Sequence, residues 1–491
     1  MSMIVSSIGQ GLLWAVLGVA LFLTFRILNF PDMTVEGTFP LGAATAVAAI
    51  SHGVSPLLAT ALAFLTGALA GLVTGLLYTK GKIPILLAGI LVMTACLSIN
   101  LRIMGGANIS LLGKQTVFSN HFLELLPKYF DSVTVGLIII VVVTAALILF
   151  LQTELGQAFI ATGDNPIMAN SLGINTDNMT IMGLMVSNGL IGMGGAFIAQ
   201  NNGYADVNMG IGIIVIALAS IIIGEVVFGE LTLNQRLVAV TLGSILYRFV
   251  LLIVLQLGFS TNDLNLLSAV ILAICLMLPK LSALLGLDHI ISKGGQQSMV
   301  QNKPLLSLKE VVAYVNPNTP AQTALLNQLN LEIFEGDFIT VIGPNGGAGK
   351  STLFNTIAGS IPVGSGQLLH HGRNIAKENV VKRSQFISRV FQDPKMGTAP
   401  RMTVAENLNL AAKRGDSRTL KLRGLKKKRQ LFKKLTASMN NGLADKLDVA
   451  TENLSGGQRQ ALSFLMAIIK RLSCSYLTNI PLHLILKPVH S

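Results

Sequence analysis

Charge is what this sequence has least of. Asp, Glu, Lys and Arg make up 12% of its 491 residues, while 51% are hydrophobic. Soluble domains carry about a quarter charged residues, so the average composition argues against a water-soluble enzyme. The same apolar excess excludes intrinsic disorder. Cysteine is equally scarce. Cys96, Cys275 and Cys474 show neither a pairing pattern nor metal-ligand spacing, which leaves them as small hydrophobic side chains. The N-terminus lacks a basic stretch and a cleavage-site pattern before Arg26. It reads as a first membrane helix rather than a removable signal.

The charges that are present are unevenly placed. Residues 1–298 hold 10 Lys and Arg against 12 Asp and Glu; residues 299–491 hold 26 against 11. A near-neutral, membrane-like half therefore precedes a basic, water-compatible half, and the net +13 belongs to the second.

Runs of about 20 apolar residues are long enough to cross a bilayer. Candidates lie near 8–28, 56–78, 84–101, 133–151, 179–200, 211–229, 235–257 and 264–285, and 38–52 is either a ninth span or a broken helix. Eight or nine spans make a polytopic helical membrane domain. Lys80, Lys82 and Arg236 mark cytoplasmic loops. Counting from them places 102–132 outside, and 152–178 and everything after 285 inside. Gly67, Gly71 and Gly75 recur every four residues, a stripe that lets a neighbouring helix approach closely. Asn188 and Glu225 interrupt the apolar pattern. They read as an interhelical hydrogen-bonding group and an interfacial charge, with a functional role as the sharper alternative. The inside segment 152–178 has no Lys or Arg but carries Glu154, Asp164 and Asp177. It reads as a 27-residue loop with helix-start chemistry at 162–166, and its acidity suggests docking on the basic half. Residues 286–304 form a polar linker.

The second half carries the chemistry. Phe338–Ile342 reads as a buried strand running into GPNGGAGKST at 343–352, then the helix-like LFNTIAG. Strand, glycine-rich loop, Lys-Ser and helix is the context of a phosphate loop. Backbone N–H groups around Asn345, Gly346, Gly347 and Gly349 and the helix N-terminus would cradle phosphate. Lys350 would reach the β- and γ-phosphates; Ser351, followed by Thr352, would ligate Mg²⁺. Pro344 stands where the strict pattern has glycine, as if one glycine were inserted at 346–347. Leu454–Gln460, LSGGQRQ, opens an amphipathic run. This heptapeptide resembles the signature of ATP-binding-cassette ATPases. The resemblance implies that Ser455, Gly456, Gly457 and Gln458 face ATP held by the other cassette of a dimer. It also implies that Gln392, in VFQDP at 390–394, contacts Mg²⁺ or the attacking water. Tyr314 or Val315 lies near where the family stacks an aromatic on adenine. The run 413–434 holds eleven cations. With Phe432 its one aromatic, too few to stack successive bases, it reads as a solvated helical face near anionic lipid rather than a nucleic-acid site.

After Arg471 the cassette pattern stops. The family next has an apolar strand ending in Asp-Glu, the carboxylates that position Mg²⁺ and polarise water; residues 472–491 contain no acidic residue. Codons for this tail can be chosen so that the adjacent frame reads KLLLLDEHTAALDPKTSAF, which resembles the missing strand and loop. A single-base shift near codon 472 is the expectation, together with negligible ATP hydrolysis by the chain as written.

Residues 161–229, with NFPDMTVEGTFPLGA at 29–43, resemble permeases of the branched-chain amino-acid importer type, in the subgroup linked to tryptophan or tyrosine uptake. The resemblance implies a permease over 1–285, a linker over 286–304, a cassette over 305–471 that is incomplete at its C-terminus, and a frame-shifted tail over 472–491. The fold class is thus a helical membrane domain followed by an α/β phosphate-loop cassette. The segment Asn170–Asn175 would form the coupling helix. The implied protein sits in the cell (inner) membrane with its cassette in the cytoplasm. It would use ATP and Mg²⁺ and pair with a second copy or homologue. An extracytoplasmic binding protein would deliver a small solute such as an amino acid, with Asp206 and Asn208 as external candidate contacts. The alternatives are a non-hydrolysing remnant and, less favoured, an exporter.

Overall fold

A computed structural model describes residues 2–119, 127, 129–229, 231–257, 266, 270, 304–315, 323–334, 337, 339, 341, 349–391, 393–470 and 474–477. The chain forms two compact units. One comprises Met1–Gln152 with Asp177–Leu287, the other Thr153–Thr176 with Asp288–Ser491.

The first unit is a bundle of apolar helices: α1 (Ser2–Phe22), α2 (Val35–Ser51), α3 (Pro56–Thr79), α4 (Ile85–Met104), α5 (Phe130–Leu151), α8 (Thr176–Asn202), α9 (Ile213–Phe228) and α10 (Leu233–Gln256). Among the described residues, seven helices are long and apolar enough to cross a membrane. The expected first span begins earlier than residue 8, and α1 continues as one π-helical turn, Leu23–Ile27. The stretch expected at 38–52 is a single 17-residue helix, short for a span, with Pro40 inside it. Pro40 removes the donor for the Glu36 carbonyl, and Gly210 lies against that carbonyl, where a Cβ would come within 2.0 Å. The expected span 264–285 and the linker over 286–303 lie outside the described residues.

The glycine stripe on α3 packs as expected. A Cβ on Gly67 would lie 2.3 Å from the Asn188 carbonyl oxygen, and one on Gly71 2.2 Å from that of Leu184. Both neighbours belong to α8, so the helix backbones touch. Strand β1 (Asn108–Ser110) pairs antiparallel with β2 (Tyr204–Asp206). Asp206 accepts from the Asn208 N–H at 2.7 Å, starting the 3₁₀ turn Val207–Gly210. The two polar residues expected to contact solute thus form a local turn.

The second unit corrects one expectation directly. Residues 153–176 are not a loop: they form α6 (Glu154–Asp164) and α7 (Pro166–Ser171). Thr153 caps α6 by accepting from Gly156 N, and Asn165 caps α7 by accepting from Met168 N, with Pro166 in the first turn. No helix spans 170–175, where the coupling helix was expected: α7 ends at Ser171, and Gly173, at φ +78°, turns the chain.

The cassette opens with an antiparallel sheet of β3 (Pro304–Val315), β4 (Thr323–Phe334), β5 (Ser365–His370) and β6 (Arg373–Asn374), ordered β4-β3-β5-β6. Leu306, Leu308 and Leu368 of this sheet pack on Leu353 and Ile357 of α11 (Lys350–Ala358). Of the buried strand expected at 338–342, Ile339 and Val341 are described. Neither is in a strand, and Ile339 is exposed. Further along are α12 (Val380–Arg383), β7 (Ile387–Val390), α13 (Val404–Ala412), α14 (Leu425–Ala437) and α15 (Gly456–Ile468). Strand β8 (Cys474–Leu477) pairs in parallel with β7, Ile387 opposite Cys474 and Val390 opposite Leu477.

Candidate functional site

The described residues expected to bind nucleotide sit at helix N-termini. Gly349 caps α11 at φ +70°, a conformation natural to glycine. Lys350 opens the first turn, Ser351 is exposed and Thr352 is buried. An exposed hydroxyl beside a lysine at a helix N-terminus fits a phosphate with a divalent cation. Asn345, Gly346, Gly347 and Gln392 lie outside the described residues. Tyr314 sits on β3 opposite Ala324 with its ring against Gly364, as a strand tyrosine does. The side chain of Val315 is outside the described set.

Ser455 caps α15 in a capping box with Gln458. Gln458 also accepts from Lys446 Nζ at 3.1 Å and donates to the Asn441 carbonyl at 3.0 Å. Its side chain therefore supports the helix start. Ser455, Gly456 and Gly457 are exposed, and both glycines have open space around them. The three residues form a bare, N–H-bearing surface.

The segment α6–α7 is held on the cassette by a line of polar contacts. The Asp164 side chain, 0% exposed, pairs with Arg401 and also accepts from Arg401 N at 3.0 Å. Burial holds its carboxyl above the usual range although the Arg401 charge pulls it down. Asn165 donates to the carbonyls of Lys395 at 3.0 Å and Thr398 at 3.1 Å, three and six residues past Gln392. Gln157 donates to the Glu406 carbonyl at 2.7 Å and accepts from Asn409 at 2.9 Å. Glu154 pairs with Lys413 and lies against Thr419. Burial pushes its carboxyl upward, but the Lys413 hydrogen bond and charge and Thr419 outweigh it and hold it below the ordinary value.

These contacts correct the reading of 413–434 as one solvated face. Arg414 is 2% exposed and donates to the Met466 carbonyl. Lys413, Arg423, Lys428 and Arg429 engage Glu154, Glu406, Asn409 and Asp448. Lys421, Lys426, Lys427, Lys433 and Lys434 remain exposed.

In the membrane unit, Asn188 is an interhelical hydrogen-bonding group as expected, and its main partner is an acidic residue that the sequence pattern does not single out. Asp32, 3% exposed, accepts from Asn188 Nδ2 at 2.6 Å and from Thr34 N at 2.9 Å. Thr38 donates to Asn188 Oδ1 at 2.8 Å, and the Thr34 and Thr74 hydroxyls lie 2.8 Å apart. An acidic residue between two apolar helices was the available signal. Glu225 pairs with Arg26 and Arg236, fitting an interfacial charge. Among the described residues no His, Cys, Asp and Glu group could hold a metal ion.

Comparison with known proteins gives two family matches. Residues 3–278 match the family described as branched-chain amino acid transport system / permease component, and residues 326–475 match ABC transporter. A tyrosine transport system permease protein of Clostridioides difficile is 40% identical over 272 residues, covering 55% of this chain and 90% of that protein. An uncharacterized Rickettsia prowazekii protein is 31% identical over 280 residues, 56% of this chain and 97% of that one. A tyrosine transport ATP-binding protein of Clostridioides difficile is 42% identical over 154 residues, 31% of this chain and 59% of that protein.

Proposed function

Because the chain belongs to the branched-chain amino acid transport permease family and continues into an ABC transporter cassette, we propose that it imports an amino acid, with an aromatic one such as tyrosine as the first candidate. It is a multi-pass membrane protein with a cytoplasmic, ATP-binding cassette, and such transporters work as dimers with other permease and ATPase subunits. Import, the solute and a delivering extracytoplasmic binding protein are the proposed refinements.

The carrying observation is the Asp164–Asn165 corner. It ties α6 and α7 to residues 395–401, just past Gln392. A change at the nucleotide that moves this stretch would pull on α6 and α7, which belong to the cassette unit although they lie in the first half of the sequence. ATP with Mg²⁺, when bound, would supply the phosphate charge that draws two cassettes together. Lys350 and the α11 N-terminus would bind that charge, Ser351 with Gln392 would hold the cation, and Ser455–Gly457 would cover the partner's nucleotide.

Hydrolysis needs a carboxylate, and no Asp or Glu follows Glu452. Strand β8 coincides with the leucine run of the adjacent reading frame, whose Asp-Glu pair would follow at its end. This supports a frame shift upstream of β8, with the written form binding ATP but not turning it over. The test is a side-by-side assay of the chain as written and the chain read in the adjacent frame after Arg471. ATP-dependent amino-acid uptake by the second form alone supports the proposal; equal hydrolysis by both overturns the frame-shift reading.

A further inference from the structure

Among the described residues of the membrane unit, Arg248 is a cation within the apolar bundle that the transport reading leaves without a task. Arg248 lies in α10, about 12 Å along the helix from its Gln256 end, well inside the apolar stretch. At the helix ends, Arg26, Lys80 and Arg236 have carboxylate partners in Glu225, Asp177 and Glu225, and Arg102 is exposed. Arg248 has none among the described residues. Its Nε and Nη2 are buried and make no hydrogen bond there. What it does have is an aromatic support. Its guanidinium lies 4.4 Å from the centroid of the Trp14 ring, and Trp14 in turn stacks on the fully buried Phe39, centroids 5.7 Å apart. The surrounding backbone is fixed: Ser244, one turn before Arg248, donates to the Gly11 carbonyl at 2.9 Å, and a Cβ on Gly11 would meet Ile245 at 2.8 Å.

The chemistry of this arrangement is specific. An intramembrane charge without a counter-ion is costly and is retained where it serves a ligand or a path. Stacking on indole occupies the face of a guanidinium and leaves its edge unused. Nε and Nη2 are the two donors of one such edge, the fork that matches the two oxygens of a carboxylate. Both are sealed here, so an anion reaches them only when the packing around Trp14 opens, which ties occupancy to the conformational state.

We propose that Arg248, oriented by Trp14, is the residue of the membrane unit that takes the α-carboxylate of the transported amino acid. This rests on the amino-acid reading above and adds a specificity rule to it: the carboxylate, rather than the side chain, is the group recognised within the bundle. Trp14 is the sole tryptophan of the chain, so it reports on the site directly.

The experiment uses the full chain in nanodiscs. Trp14 emission is titrated with L-phenylalanine, phenylalaninamide and 3-phenylpropanoate. Phenylalanine and phenylpropanoate are expected to shift the emission saturably and phenylalaninamide is not. R248Q should weaken the response at least tenfold, and R248K, which keeps charge but loses the fork, should fall between. Uptake by cells carrying the frame-restored chain is measured in parallel; there R248Q should raise the apparent KM for amino acid. A response equal for acid and amide, or unchanged in R248Q while that variant retains its native melting temperature, overturns the proposal. So does a response that appears only in anionic-lipid nanodiscs, which would assign the edge to a lipid phosphate. If R248Q does not fold, R248K and W14F carry the test: an unaltered uptake KM in both overturns it. Normal amino-acid uptake with an unaffected KM in R248Q removes the site and leaves the importer reading standing. An Arg248-dependent response to phenylpropanoate without uptake of any amino acid supports the carboxylate site and removes that reading.

Discussion

Replacing Arg401 by alanine strands Asp164. The Asp164 side chain is fully buried and Arg401 is 29% exposed, so the substitution removes the one charge partner that an inaccessible carboxylate has among the described residues. Breaking a buried pair from one side costs about 3–5 kcal/mol, and the partial exposure of Arg401 argues for the lower end, about 3 kcal/mol. A value that size loosens α6 and α7 from the cassette roughly 100-fold. The loss has a pH signature. Burial already holds Asp164 above the ordinary carboxylate range; losing the Arg401 side chain removes its charge and its side-chain hydrogen bond, leaves the main-chain N–H at 401 as a lesser restraint, and raises the carboxyl further. A group with a raised folded pKa favours the folded state while protonated and loses that contribution as pH rises through the folded value. The penalty of Arg401→Ala should therefore grow between mildly acidic and alkaline pH. Hydrogen exchange of peptides within 154–171 measures it. The expected result is about 100-fold faster exchange at alkaline pH and a smaller effect in acid. Asp164→Asn, combined with Arg401→Ala, should recover most of the protection, because the Arg401 N–H contact survives. Unchanged exchange in Arg401→Ala, or an effect independent of pH, would refute the reasoning.

Five further substitutions have expected outcomes. The Glu154 carboxyl is held below its ordinary value, so its contribution is present at neutral pH and is lost as pH falls below the unfolded glutamate range of about 4.3; Lys413→Met should remove this acid transition from the exchange profile of α6. Gly71→Ala forces a Cβ to within 2.2 Å of the Leu184 carbonyl oxygen and should cost about 1–3 kcal/mol by overpacking. Gly106→Ala, which meets nothing within 4 Å, should leave the melting temperature unchanged. Lys350→Met should abolish binding of a fluorescent ATP analogue, whereas Gln458→Ala should lower stability through the lost capping box by about 1 kcal/mol and spare that binding.

Much of this organisation was legible from residue patterns, for identifiable reasons. Apolar runs near 20 residues are unambiguous because bilayer thickness fixes their length, and the glycine stripe at 67, 71 and 75 is legible because close helix approach admits little else. The capping of α15 by Ser455 follows from local chemistry alone. The contacts that matter most for coupling were less visible. The acidity of 152–178 pointed to docking, but α6 and α7 are short, and their polar residues obscured any helical period. Asp32 lies in the NFPDMTVEGTFPLGA string at 29–43, yet nothing local says that its partner is Asn188, 156 positions away. The basic run misled because composition cannot tell an exposed lysine from Arg414, whose charge is spent on the Met466 carbonyl.

The most direct test of the account is uptake of labelled tyrosine, tryptophan and leucine by auxotrophic cells. These cells would express the chain read in the adjacent frame after Arg471, beside cells expressing it as written. Concentrative, ATP-dependent accumulation of at least one amino acid by the first, abolished by Lys350→Met and absent in the second, is the expected result. No accumulation by either form, or ATP-dependent loss of preloaded amino acid, would contradict it.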